Sequence, residues 1–272
     1  MRHCRFETEG RARHGIVEGD EVVDREQGDR HPLSEVRMLA PVQPRKFLAI
    51  GLNYADHIAE SGMEAPEHPI FFNKQATCVV GPGEDVHMPR VSSLLDYEGE
   101  LAIVIGTRCR HVPVERAHEV IAGYTIANDV SVRDWQLRTP TMTMGKSFDT
   151  HGPLGPWIVT ADELGDPHEL GIRTFVNGEQ RQDGNTRDMV FDCYQQVAHL
   201  SQAFTLEPGD VIATGTPAGV GAAIQPFPDG LLKVGDEVRI EIDGIGELTN
   251  AVVEEPDGFM AAEVQDAPAW VS

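Results

Sequence analysis

Apolar positions along this chain gather in short runs, bounded by Gly, Pro, Asn and Asp, and most runs are too short for a helix. Their lengths and branched residues predict strands at Phe47–Ile50, Pro69–Phe72, Glu100–Ile105, Tyr124–Asp129, Trp157–Thr160, Arg173–Val176, Val211–Thr214, Glu237–Ile242 and Glu247–Val253. Asn177-Gly178 sits between Thr174–Val176 and Glu179–Arg181 and reads as a two-residue hairpin turn. Helical spacing appears only at Ala55–Ser61, Val114–Ala122 and Met189–Phe204, the last with apolar residues at 190, 193, 194, 197, 200 and 204.

Ahead of this body, His14–Val17 and Glu21–Asp24 flank Glu18-Gly19-Asp20 as a second hairpin. One or two helical turns are expected around Ser34–Leu39, before Pro41 and Pro44 punctuate the chain. The pattern divides the sequence into a small N-terminal, hairpin-containing unit, 1–45, and a larger domain, 46–272. The fold class expected is α+β, β-rich with few helices, without strict βαβ alternation.

Composition narrows the partners. The 272 residues carry 22 Lys+Arg against 44 Asp+Glu, a formal charge of −22. Such a surface repels phosphate backbones and anionic membranes, so neither nucleic acid nor a membrane is expected. No apolar run approaches the roughly 18 residues of a membrane span. Cys4, Cys78, Cys109 and Cys193 are widely spaced and lack C-x-x-C pairing. They read as free thiols in a reducing compartment, which with the polar N-terminus places the protein in the cytoplasm.

Familiar catalytic signatures do not match. Gly145-Lys146-Ser147 ends like a phosphate loop, but the required first glycine falls at Pro140. There is no G-x-S-x-G elbow and no H-E-x-x-H. Carboxylates are the more informative signal. In Leu95-Asp-Tyr-Glu-Gly-Glu-Leu-Ala-Ile-Val-Ile-Gly106 a strand would point Glu98 and Glu100 to one face, at the entrance to an apolar run. Two such carboxylates repel unless a proton or a cation intervenes, and oxygen ligands select hard cations. The bland alternative, hydrated glutamates on a solvent-facing edge, is equally consistent with this stretch alone.

Other candidates follow in order. Asp129 ends an apolar strand, as a third ligand or as a turn residue with Asn128. Arg133 and Gln136 are i, i+3, fit to hold a carboxylate or keto oxygen or to pair with surface acids. Lys146 is one of only four lysines and is flanked by Met144 and Phe148; a cation over a developing enolate competes with a snorkelling surface side chain. His57 and Glu60 are also i, i+3, a carboxylate-oriented imidazole that could activate water. The irregular Ser61–Pro69 stretch after them is composed like a lid.

Taken in order, these pieces resemble the fumarylacetoacetate hydrolase family. The landmarks are Gly51-Leu-Asn-Tyr-Ala-Asp-His57, Pro69-Ile-Phe-Phe-Asn-Lys74, Asp96-Tyr-Glu-Gly-Glu100, Asn128-Asp129, Arg133-Asp-Trp-Gln136, Gly145-Lys-Ser-Phe148, Asn177-Gly178 and Pro208–Gly221, spanning roughly residues 46–254. The resemblance implies a mixed β-roll fold, a homodimer, and one Mg²⁺ or Mn²⁺ per subunit held by Glu98, Glu100 and Asp129. It implies that Arg133, Gln136, Lys146 and Thr216 line a pocket for a small anionic oxoacid, with His57 and Glu60 as the water-activating pair on a lid. Two departures stand out. Ile50 occupies the place of an extra aspartate ligand in the founding hydrolase, and about 45 residues replace that enzyme's large N-terminal domain. The activity implied is carbon–carbon bond hydrolysis in a 2,4-dioxo acid, releasing pyruvate and a carboxylic acid through a metal-stabilised enolate. Oxaloacetate decarboxylation and hydroxymuconate or hydroxyheptadienedioate isomerisation are the alternatives on the same site. A non-catalytic binding protein would instead show a degraded site, and every ligand and pocket position is present.

Overall fold

The computed structural model describes residues 1–257. Two β layers dominate. A twelve-stranded sheet runs from Arg30–Pro32 at one edge through Glu21–Asp24, Arg11–Glu18, Arg2–Thr8, Gly152–Thr160, Ile121–Asn128, Gly99–Ile105, Val211–Ala213 and Phe47–Gly51 to Ile70–Lys74 at the other, with Arg37–Leu39 on Arg2–Thr8 and Val79–Val80 on Gly152–Thr160 as the two strands off this path. A five-stranded sheet orders Glu179–Asn185, Gly171–Val176, Glu237–Ile242, Gly246–Glu254 and Val86–Met88. This is the β-rich α+β class expected, and each predicted strand exists, most of them one to five residues longer than expected. Both predicted hairpins form; Asn177 and Gly178 take φ of 52° and 81°, the positive pair a two-residue turn of this kind requires.

The strand Gly99–Ile105 is buried on both faces, and its parity divides the core. Leu101, Ile103 and Ile105 join the large cluster that includes Ile172, Ile240 and Leu248 of the five-stranded sheet, together with Val197 and Leu200 of the long helix. Ala102 and Val104 face the other way, into a smaller cluster with Phe47, Phe72, Ala127 and Ala213. Glu98 and Glu100 share the parity of Ala102, so the acidic pair points into this second, small-residue cluster. Gly99 faces the five-stranded sheet so closely that a Cβ there would lie 2.2 Å from Thr174 Oγ1.

Three expectations need correction. Val114–Ala122 is not one helix: 3₁₀ turns cover Val114–Val120, and Ile121 opens a strand that pairs with Gly99–Ile105 and Gly152–Thr160. Ladder bonds on both edges outweigh the local spacing. The long helix begins at Cys193, not Met189. Asp192 accepts hydrogen bonds from the backbone of Tyr194 and Gln195 while the Gln195 side chain accepts from Asp192, a reciprocal cap that fixes the start. Around Ser34–Leu39 only one 3₁₀ turn forms, at Leu33–Glu35; Arg37–Leu39 is a strand on Arg2–Thr8. The Arg2–Thr8 strand itself was not foreseen, because only Cys4 and Phe6 mark its buried face. Through its pairing with Gly152–Thr160 the N-terminal sheet continues into that of the larger domain. Among the described residues no helix is long and apolar enough to cross a membrane.

Candidate active site

The pairing of Gly99–Ile105 with Ile121–Asn128 sets Gly99 opposite Asn128, and this register brings the two acidic motifs together. The Asp129 amide donates to the Glu98 carbonyl at 2.9 Å and the Glu98 amide to Asn128 Oδ1 at 3.1 Å. Glu98, Glu100 and Asp129 are 6%, 1% and 0% exposed, and each offers an oxygen within 4.8 Å of the others. The solvent-edge reading of the glutamates is thereby excluded.

Three cations surround these carboxylates. Lys146 Nζ donates to Glu98 Oε2 at 2.7 Å and Asp129 Oδ2 at 2.8 Å. Lys74 Nζ donates to Asp129 Oδ1 at 2.6 Å and to the Lys146 carbonyl. Arg133 pairs with Asp96 at 2.7 Å, and with Glu98 Oε1 at 2.6 Å while also donating to Gln136 Oε1 at 2.9 Å. The lysine heads lie 5.1 and 5.9 Å from the ring centroids of Phe72 and Phe47, so the small cluster contacts their charges as well as their stems.

Charge is unevenly compensated. Burial alone would raise Glu98, but Lys146 and Arg133 outweigh it and hold its carboxyl well below the usual range. Burial would lower Lys146, and Asp129 and Glu98 reverse that to a net rise. Glu100 goes the other way: burial, then Asp129 and Glu98, push it well above the usual range. Among the described residues its one hydrogen-bond donor is the Gly215 amide, at 2.8 Å. Four buried carboxylates, Asp96 included, face three cations, and Glu100 is the one that no cation of the described residues contacts. An oxygen-only donor set with a surplus negative charge suits a hard divalent cation. The residues present therefore fit a hard divalent cation, which Glu98, Glu100 and Asp129 could hold.

The other sequence candidates fall around this centre. Thr216 Oγ1 donates to the Gly99 carbonyl at 2.9 Å and accepts from Gln182 Nε2 at 2.8 Å. Gln182 Oε1 in turn accepts from the Gly99 amide, so one glutamine clamps the ligand-bearing strand to the Thr216 loop. His57 and Glu60 lie on the helix Ala55–Ser61, their side chains 15% and 23% exposed, with Nδ1 3.2 Å from Glu60 Oε2. The carboxylate must accept, so Nδ1 carries the hydrogen and Nε2 is left as the basic nitrogen. Glu60 Oε1 also accepts from the Gly219 amide at 3.0 Å. The loop that Glu60 meets at Gly219 also bonds Glu100 through the Gly215 amide and Gly99 through Thr216, and so links the pair to the carboxylate strand. Asn53 roots this helix: its amide donates to Thr214 and Phe191 carbonyls and its oxygen accepts from the Phe191 amide.

Lys74, Asp96, Gln182 and Asn53 were not singled out by sequence, although Lys74, Asp96 and Asn53 fall inside quoted landmarks. Lys74 had a readable signal: on a strand it shares the face of Phe72, and Phe72 is buried. Asp96 accepts four hydrogen bonds, from Tyr97, Gly221, Ala222 and Arg133, and so joins the ligand strand to the glycine-rich loop.

Comparison with known proteins agrees with this architecture. Residues 46–253 match the family described as fumarylacetoacetate (FAA) hydrolase C-terminal, and residues 1–41 match one described as Rv2993c-like, N-terminal. A 5-carboxymethyl-2-hydroxymuconate delta-isomerase from Mycobacterium smegmatis superposes with a TM-score of 0.84 at 42% identity. A fumarylacetoacetate hydrolase from Exiguobacterium antarcticum gives 0.85 at 38%, and a maleylpyruvate hydrolase from Sphingobium gives 0.78 at 34%. Each match covers 94% of this chain and all of the other. The chain belongs to the fumarylacetoacetate hydrolase family.

Proposed function

We propose that this protein is a divalent-metal-dependent hydrolase that cleaves a carbon–carbon bond in a 2,4-dioxo acid, giving pyruvate and a carboxylic acid. The observation that supports the reading is the His57–Glu60 hydrogen bond, which leaves Nε2 as the basic nitrogen and is tied through Glu60 to the loop that bonds Glu100. Of the reactions open to such a site, hydrolysis is the one that needs a base for water.

Glu98, Glu100 and Asp129 would hold a divalent ion, which when bound would supply Lewis acidity to the oxoacid. His57 Nε2 takes a proton from water as the water adds to the distal carbonyl, and Glu60 keeps the imidazole in the tautomer that can do so. Collapse of the adduct breaks the bond to the neighbouring carbon, whose electrons pass into a pyruvate enolate. Lys146 places a buried cation beside that developing charge, and Gln136, fixed by Arg133, offers its amide group to the oxoacid. Protonation of the enolate carbon releases pyruvate.

The test is a metal-supplemented panel of acylpyruvates, fumarylpyruvate, oxaloacetate and hydroxymuconates, read as pyruvate release and ultraviolet change. Pyruvate from the dioxo acids, falling at least ~100-fold in His57→Ala with Mg²⁺ affinity retained, supports the assignment. Unchanged turnover in that variant refutes His57 as the base. A second reading, isomerisation, draws on the delta-isomerase relative; it predicts an ultraviolet shift with hydroxymuconates and no pyruvate. Pyruvate from oxaloacetate alone would indicate decarboxylation.

A further inference from the structure

Where the N-terminal unit meets the larger domain there is a cavity of about 560 Å³. Arg5, Leu39 and Ala40 line it on one side, and Thr77, Val79 and Glu84 on the other. None of the residues assigned above to the carboxylate centre or to the oxoacid lies on its walls. Its size falls in the range of small-molecule sites, about 300–1,000 Å³. The walls are fixed by strand pairing: Arg37–Leu39 lies on Arg2–Thr8, and Val79–Val80 on Gly152–Pro153. Gly81 closes the seam between them, packed so tightly on the Leu39–Ala40 backbone that a Cβ would lie 2.4 Å from the Ala40 nitrogen.

Arg5 is the unusual group in this cavity. The chain carries 44 acids for 22 Lys+Arg, so carboxylate partners are plentiful. Among the described residues Arg5 is nevertheless the one Lys or Arg that is not exposed and has no ion pair. Its one hydrogen bond among those residues runs from a terminal nitrogen to the Ala40 carbonyl, at 3.0 Å. The other donors of the guanidinium fork are left for a further acceptor. Burial pulls the Arg5 pKa down, and the Glu84 charge opposes this without cancelling it. The neighbouring carboxylates are engaged elsewhere: Glu84 accepts from the Gly81 amide, and Glu7 pairs with Arg37 at 3.2 Å.

We infer that this seam cavity is a second binding site, and that its ligand is a monocarboxylate with an apolar body. The carboxylate meets the open side of the Arg5 fork, a geometry that suits two parallel hydrogen bonds. The body lies against Leu39, Ala40 and Val79, of which the first two are buried and the third half-buried. A second charge on the ligand would meet Glu7 and Glu84, which also line the cavity, so a single carboxylate fits best. The carboxylic acid released by the proposed hydrolysis belongs to this class, but the site stands whether or not that reaction is the one catalysed.

The test is calorimetry on the full chain with Mg²⁺, comparing hexanoate with hexanamide, which has the same shape and no charge, and with inorganic phosphate. The wild type should bind hexanoate about ten-fold or more tightly than either, as a charge-assisted pair on an apolar wall warrants. Arg5→Gln keeps a donor for the Ala40 carbonyl and should bring hexanoate within about three-fold of hexanamide, with Mg²⁺ affinity unchanged. Arg5→Lys should keep part of the preference. Amide resonances of the wild type report the place without any substitution: hexanoate should shift those of residues 37–40 and 76–79 and leave those of 98–100 where they are. A wild type that does not bind hexanoate, a preference over hexanamide that survives Arg5→Gln, phosphate bound as tightly as hexanoate, or shifts confined to residues 98–100 would each overturn the assignment.

Discussion

The carboxylate cluster and the helix that carries His57 are held in different ways. Glu98, Glu100 and Asp129 stand on or beside strands buried on both faces, with Lys74, Lys146 and Arg133 packed among them. The helix Ala55–Ser61 buries only Ile58 and is anchored through Asn53 at its root and the contact of Glu60 with Gly219. A cation site needs carboxylates that cannot relax away from one another, and the core supplies that rigidity. A base that must admit substrate and then close over it needs a weakly held element. Substitutions in the first region should therefore cost stability, while those in the second should cost rate at little stability.

The largest effect is expected at Lys74. Replacing it by Met leaves Asp129 with a single cation, and breaking a buried pair from one side costs roughly 3–5 kcal/mol. Denaturant unfolding of Lys74→Met should show a loss of that order, and saturating Mg²⁺ should recover part of it by supplying charge to the same carboxylate. By contrast His57→Ala should unfold within about 0.5 kcal/mol of wild type. A Lys74→Met protein as stable as wild type would mean that the centre is not held by charge, and the contrast between the regions would collapse.

Acid should separate the regions next. His151 is fully buried and stacks on Phe148. Burial lowers its pKa from 6.5 to about 3, although the His87 carbonyl, 2.8 Å from Nε2, works the other way. The unfolded imidazole takes up a proton below its ordinary pKa while the folded one resists until about 3. Stability is thus lost as pH falls through that window and is level above it. At pH 5 the loss amounts to about 2 kcal/mol. His151→Gln keeps a donor for the His87 carbonyl and removes the titration. Its stability should fall less steeply than wild type between pH 6.5 and 4, and parallel curves would show that His151 is already protonated in the fold.

What could be read from sequence followed the same division. A strand's two-residue period set Glu98 and Glu100 on one face, the family resemblance added Asp129 to them, and the structure brings an oxygen of each of the three within 4.8 Å of the others. His57 and Glu60 were legible because helical i, i+3 spacing is equally local. Partnerships made across the sheet were not. Lys74 lies 55 residues from Asp129, and Gln182 lies 83 from Gly99. Their contacts exist only once strand order is known. The helix at Cys193 was placed too early for a related reason: Met189 and Val190 are apolar, but they pack in extended conformation against Tyr54 and Asn53.

The smallest effect expected is at Tyr97, which belongs to both regions. Its backbone lies between Asp96 and Glu98, and its hydroxyl donates to the carbonyl of Gly219, whose amide holds Glu60. Tyr97→Phe removes one hydrogen bond, worth about 0.5–1.5 kcal/mol, and leaves a carbonyl to find another donor. Because the hydroxyl touches the loop and not the carboxylates, Mg²⁺ affinity should not change. Amide exchange at Gly219 and along residues 55–61 should accelerate, because the latch that meets Glu60 is loosened at its other end. If Mg²⁺ affinity falls together with lid protection, the two regions are coupled through this residue, and the centre then responds to lid closure instead of waiting rigidly beneath it.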